Sequence, residues 1–136
     1  MKPSHRAIAL ALPLSIGACS GNARSPEAYR DDTAALLETA NEAVRACYDE
    51  VLKRQPGVQG TVAVRFKVME ESGRLVDVTV DPSATTAPPQ VALCVTEQVD
   101  GLVLMPADVR EGQATFTWLF KAPPAPRVAG PSRSPG

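Results

Sequence analysis

Two stretches of alternating apolar and polar residues constrain the fold of this chain more than any other feature. Apolar side chains occupy every second position of residues 62–68 and again of residues 76–80. A period of two places one face of each strand in a core. Residues 70–73 connect the two stretches and end in a glycine that can adopt a positive φ. We therefore predict an antiparallel hairpin over residues 60–82.

Helical periodicity flanks the hairpin on both sides. Between residues 32 and 54, apolar residues recur at steps of three and four positions, which is the spacing of an amphipathic helix. The Pro-Gly pair at 56–57 ends this helix. A second helix is predicted within residues 83–102, with Thr86 as its N-terminal cap.

The same alternation predicts a third strand over residues 113–121. Its inward side chains are expected to be Ala114, Phe116, Trp118 and Phe120. The order of elements becomes α-β-β-α-β, and a right-handed connection would place strand three beside strand one. We predict an α+β domain of residues 32–121, with a three-stranded antiparallel sheet in the order 2-1-3 and two helices packed on one face.

The first 18 residues have the pattern of a secretory signal peptide. A short basic segment precedes an apolar run that is too short for a membrane-spanning helix of about 20 residues. The run ends in Ile16, Gly17, Ala18 and Cys19. This sequence resembles a bacterial lipobox, and the resemblance implies cleavage before Cys19 and acylation of its thiol. The alternative is an ordinary signal peptide cleaved near Ala18, which leaves Cys19 as a free thiol.

Ser20 follows Cys19, without the Asp that is typical of retention at the inner membrane. The lipobox resemblance therefore implies an outer-membrane lipoprotein that is anchored through its N-terminal lipid and faces the periplasm. Residues 19–31 are polar and are expected to form a flexible tether. Residues 122–136 are rich in Pro, Gly and Ser, and are expected to be disordered.

Charge and side-chain chemistry argue against two classes of protein. A net charge of -1 gives no basic surface for nucleic acid. The single histidine, His5, would leave with the signal peptide, so the usual general base would be missing. Glu70 and Glu71 could form a carboxylate pair, and Asp77 and Asp81 could join a weak cation site, but neither has a recognisable motif. We expect no catalytic residue, metal, cofactor or small-molecule substrate.

Two cysteines remain in the predicted domain. Cys47 and Cys94 lie on the apolar sides of the two predicted helices, which should cover the same face of the sheet. The compartment beyond a signal peptide is oxidising, and the count is even once Cys19 is assigned to lipid. We expect a Cys47–Cys94 disulfide. Two reduced thiols that pack as small apolar residues are the alternative.

Taken together, residues of the predicted domain resemble the AgmX/PglI C-terminal family, which occurs mostly in myxobacteria and is similar to the TonB C-terminal domain. The resemblance covers about Ala43 to Phe120. It is carried by Cys47-Tyr48, Leu52, Pro56, Gly60, VAVRFKV at 62–68, Gly73-Arg74-Leu75, VDVTV at 76–80, and Val91 with Cys94-Val95. The chain departs from the family after the second helix, where Val103-Leu104-Met105-Pro106 replaces an aromatic-basic-Phe-Pro run.

The resemblance implies a TonB-like module that binds proteins, often through a strand added at a sheet edge. The second and third strands would both be edges, and we select Thr115, Thr117 and Leu119 of the third strand as candidate partner-binding residues. A tether of residues 19–31 is too short to span the periplasm, which argues against energy transduction. We expect a non-enzymatic lipoprotein that binds an envelope protein, and the resemblance adds motility or cell-surface assemblies as its context. Alternatives are a structural component that contacts peptidoglycan or polysaccharide, and a small secreted hydrolase.

Overall fold

Three helices and three strands follow one another in the order α-α-β-β-α-β. The computed structural model describes residues 23–125, Arg127 and Gly130. The elements are α1 (Pro26–Glu38), α2 (Asn41–Arg54), β1 (Gly60–Val68), β2 (Leu75–Val80), α3 (Pro89–Val99) and β3 (Gly112–Phe120). The strands form one antiparallel sheet in the order β2-β1-β3. The predicted α+β class and sheet order are therefore confirmed. The predicted signal peptide, Cys19 and most of the predicted tail lie outside the described residues.

The first helix begins earlier than predicted, at Pro26 rather than near residue 32. Ser25 caps it, because its Oγ accepts a hydrogen bond of 3.2 Å from the N–H of Ala28. Pro26 fits the first turn, where its missing N–H leaves no helical hydrogen bond unmade. Residues 26–31, which we expected to be part of a flexible tether, are therefore helical.

The segment predicted as one helix is also divided in two. At Thr39 and Ala40 the backbone N–H groups bond three residues back, to Leu36 and Leu37, at 3.1 and 3.0 Å. The hydroxyl of Thr39 donates to the same Leu36 carbonyl at 2.6 Å. A threonine that bonds to the preceding turn competes with helix continuation, and α2 starts afresh at Asn41.

One face of the sheet packs against the helices and forms the core. Its largest fully buried side chains are Leu37, Leu75, Val62, Val64, Val68, Val91, Val95, Val99 and Cys94. The predicted inward face of β3 is correct: Trp118 and Phe120 are buried, and Ala114 and Phe116 are partly buried. The indole N–H of Trp118 donates to Oδ1 of Asn41 at 3.1 Å, which joins β3 to the start of α2.

A disulfide links the helices α2 and α3. Cys47 and Cys94 are bonded, with 5.5 Å between their Cα atoms and a separation of 47 positions in sequence. Cys94 is almost fully buried. The predicted pairing is therefore present, and it joins two helices that pack on the same face of the sheet.

Thr86 is not the cap of α3, and that prediction was wrong. The capping position is Pro88, without a side-chain hydrogen bond. The hydroxyl of Thr86 instead accepts the N–H of Thr61 at 2.9 Å, because the loop after β2 continues alongside β1. A Cβ on Gly60 would lie 2.6 Å from the backbone N of Ala87, so this close approach requires glycine.

Candidate functional site: the outer edge of β3

The direction of backbone groups along β3 follows from the hydrogen bonds of its neighbour. In an antiparallel ladder, successive residues turn their N–H and C=O groups to opposite sides of the strand. On β1, the carbonyls of Thr61 and Ala63 accept N–H groups from residues 81–87, on the β2 side. Leu119 and Thr117 lie opposite these two residues. Their backbone N–H and C=O groups therefore point away from β1, toward the outer edge of the sheet.

All three predicted partner-binding residues occupy such positions. Thr115 lies opposite Arg65, two residues along from Thr117, and so has the same orientation. Within the described part of the chain, no backbone group of Thr115, Thr117 or Leu119 has a hydrogen-bond partner at this edge. Their side chains are exposed and lie on the sheet face away from the helices. The structure thus brings these residues together on one open edge, while their binding role stays a prediction.

Two clefts flank this edge on the helix side. The first lies between α1 and β3, has a volume of about 750 Å³, and includes Ala114 and Phe116 in its wall. The second lies between α2 and β3, has a volume of about 730 Å³, and includes Leu52 and Trp118. Since side chains alternate between the faces of a strand, a strand added to β3 would direct every second side chain into these clefts.

The opposite edge of the sheet is shorter and interrupted. Strand β2 has six residues, against nine in β3. The β1–β2 register shifts between Arg65 and Lys67, and Asp77 has a φ of 54° there. Such a bulge increases the local twist and protects an edge from pairing with another strand. Strand β3 is therefore the longer and more regular template.

Two of the acidic residues considered for cation binding form ion pairs within the sheet. Asp77 forms an ion pair with Lys67 at 3.2 Å. Asp81 accepts hydrogen bonds from the Ser83 hydroxyl and N–H and pairs with Arg65, and these contacts hold its pKa below the ordinary value. A lowered pKa makes a carboxylate a weaker base. Residues 70–71 are exposed in the hairpin connection. Among the described residues, no three potential metal ligands lie close enough together to hold a metal ion.

A polar cluster that sequence reasoning missed holds the segment before α1. Oδ2 of the buried Asp108 accepts the N–H of Arg24 at 2.8 Å, and Oδ1 accepts the N–H of Arg110 at 3.0 Å. These backbone hydrogen bonds, that of Arg24 first, lower the pKa of Asp108. The guanidinium of Arg24 donates to the Pro106 carbonyl and to Asp32, at 2.6 Å each. The chain before α1 is therefore fixed to the loop between α3 and β3.

Within the described ranges, no helix is long and apolar enough to cross a membrane. Comparison with known proteins finds no matching family model, no similar curated protein and no similar solved structure. The resemblance to the AgmX/PglI C-terminal family therefore stays a prediction.

Proposed function

We propose that this protein is a non-enzymatic outer-membrane lipoprotein whose domain binds an extended segment of another envelope protein. The observation that carries the proposal is the open outer edge of β3. Thr115, Thr117 and Leu119 turn backbone donors and acceptors outward along this nine-residue strand. An open edge of this kind is a template for an added strand.

The two clefts beside the edge define the chemistry of the bound segment. Their walls contain Ala114 and Phe116 near α1, and Leu52 and Trp118 near α2. An added strand would place apolar side chains against these walls and polar side chains on the opposite face, beside the threonines of β3. We therefore propose a partner segment in which apolar and polar residues alternate.

The proposed membrane anchor is supported by the lipobox-like sequence that ends at Cys19. Several acyl chains on one residue hold a protein at a membrane far better than a single chain does. An anchored domain and an envelope partner are then confined to the same surface, which raises their effective concentration.

A proline at position 117 tests the proposed edge. Thr117→Pro removes an outward-pointing N–H but leaves the bonds between β1 and β3 intact, since proline is tolerated at the open side of an edge strand. Thr117→Val is the matched control, because it keeps the N–H and the shape of the side chain. We expect the proline variant alone to lose its crosslinks to a defined envelope protein in native membranes, measured by quantitative mass spectrometry.

Thermal unfolding of both variants provides the necessary control for folding. If Thr117→Pro kept its melting temperature and all its crosslinks, the edge would not be the binding surface and the proposal would be wrong. Retention of every variant on isolated peptidoglycan, with no protein crosslinks, would instead favour the structural alternative.

A further inference from the structure

Most of the exposed large apolar side chains gather at one end of the domain. Six such side chains occur among the described residues, and Leu93 and Leu119 are the two that lie elsewhere. The four at this end are Met69, Val103, Met105 and Val109. We call these four the apolar end.

Backbone contacts bring the members of the apolar end together. Met69 starts the connection that follows β1, and Val103 forms an isolated bridge with Arg74 at the other side of that connection. The N–H of Leu104 donates to the Gly73 carbonyl at 2.7 Å. A Cβ on Gly73 would collide with the Leu104 carbonyl, so the two segments are in close contact.

The region around Val109 is fixed to the same connection. The N–H of Glu71 donates to the Asp108 carbonyl at 2.9 Å. Met105 and Val109 are 71% and 48% exposed, although their neighbours in sequence are held by hydrogen bonds. A loop fixed by backbone hydrogen bonds therefore presents large apolar side chains to the outside, which is unusual without a partner surface.

The N-terminal segment reaches the domain at this same end. Arg24 donates hydrogen bonds to Pro106 and Asp108. The exposed Met105 comes just before this pair in the sequence, and the exposed Val109 just after it. Four peptide units separate Cys19 from Ala23. At 3.3–3.6 Å per residue, they allow a separation of at most about 14 Å. A lipid on Cys19 would therefore hold the bilayer close to the apolar end.

We propose that the apolar end rests on the lipid bilayer and inserts Met105 and Val109 into its interfacial region. This proposal rests on the proposed lipidation of Cys19. Residues 70–71 and Glu111 contribute three negative charges to this end, and Arg74 and Arg110 two positive charges, so it has no excess of positive charge that would favour anionic lipid. The contact is therefore apolar, and neutral phospholipid is sufficient for it.

The orientation has a consequence for the partner-binding edge. β3 begins beside Val68, at the apolar end, and Leu119 lies opposite Thr61. Val68 and Thr61 are seven positions apart along β1, which corresponds to about 23 Å. The β3 edge would thus rise away from the bilayer and stay accessible to an envelope protein along its length.

A single introduced thiol tests the proposal. Met105→Cys places the thiol at the apolar end, at a position that is 71% exposed. Leu119→Cys places it at the far end of the sheet, at a position that is 63% exposed. The full lipidated protein is purified from membranes, labelled with an environment-sensitive fluorophore, and placed in phosphatidylcholine vesicles with or without brominated acyl chains. Cys47 and Cys94 are disulfide-bonded and do not react.

We expect brominated lipid to quench the label at Met105→Cys about twofold more than the label at Leu119→Cys. Val109→Cys should repeat the result of Met105→Cys, and far-ultraviolet circular dichroism checks the fold of each variant. Equal quenching at both ends would overturn the proposal. So would an unquenched label at the apolar end, because it would show that this end stays outside the bilayer.

Intact mass distinguishes this failure from a failure of the proposed function. An acylated chain whose Met105→Cys label is not quenched contradicts only the orientation of the domain. A chain without acyl groups on Cys19 contradicts the proposed anchor itself, and with it the basis of this proposal.

Discussion

Removal of the Cys47–Cys94 disulfide should cost the domain a large share of its stability. The bond closes a loop of 47 residues. Chain entropy lost from the unfolded state on closing such a loop corresponds to about 4 kcal/mol at 25 °C. Small domains typically have a free energy of unfolding of about 5–15 kcal/mol. We therefore expect Cys47→Ala combined with Cys94→Ala to lower that free energy by about 4 kcal/mol.

Urea unfolding followed by tryptophan fluorescence measures this change. Trp118 is the single tryptophan of the chain and lies in the core beside Asn41, so its emission reports on unfolding of the sheet. The protein is expressed from Ser20 onward, so that only Cys47 and Cys94 remain as cysteines. A loss of 4 kcal/mol corresponds to a decrease of about 15–30 °C in melting temperature.

Reduction provides the matched control. A reductant should destabilise the wild-type protein to about the same extent and should leave the double variant unchanged. A loss below about 1 kcal/mol in a chain with a confirmed disulfide would refute the reasoning, because it would mean that the unfolded chain is already constrained without the bond.

Two further predictions concern the loop between α3 and β3. Gly73→Ala should destabilise the domain by about 2 kcal/mol more than Gly57→Ala, as measured by urea unfolding. Both glycines have a positive φ, but only Gly73 contacts the Leu104 carbonyl. Equal losses of stability would contradict the importance of that contact. The pKa of Asp108 is lowered in the folded state. Its ionised carboxylate therefore stabilises the fold fully above the pKa of the unfolded chain, about 4, and this stabilisation is lost as the pH falls through the pKa of the folded state. The advantage of wild type over Asp108→Asn in melting temperature should therefore shrink below about pH 4, and a constant difference would show that ionisation of this carboxyl is not involved.

Alternation of side chains predicted the three strands, but not the bulge at Asp77 in β2, where Leu75 is buried and Val76 lies opposite the outward-facing Lys67. It identified the inward faces of β1 and β3, and the right-handed connection placed β3 beside β1 as observed. The candidate residues Thr115, Thr117 and Leu119 followed from these two arguments together with the family resemblance, which implied binding at a sheet edge. The clefts beside them could not be predicted, because they depend on where α1 and α2 lie relative to β3.

The remaining differences arise from single polar contacts that leave no periodic pattern. The break between α1 and α2 depends on the Thr39 hydroxyl bonding to Leu36, and threonine is common within helices as well as at their ends. The contact between Arg24 and Asp108 joins residues that are 84 positions apart. Such contacts can be identified only from the tertiary structure, because no sequence pattern connects the two residues.

The position of β3 at the end of the fold has a consequence during synthesis. The central strand β1 can pair with β2 early, but a two-stranded hairpin is only marginally stable. Trp118 and Phe120, which complete the core, are made last. A chain interrupted before Gly112 can neither complete its core nor display the edge that we propose for binding. Only finished molecules would therefore compete for the partner.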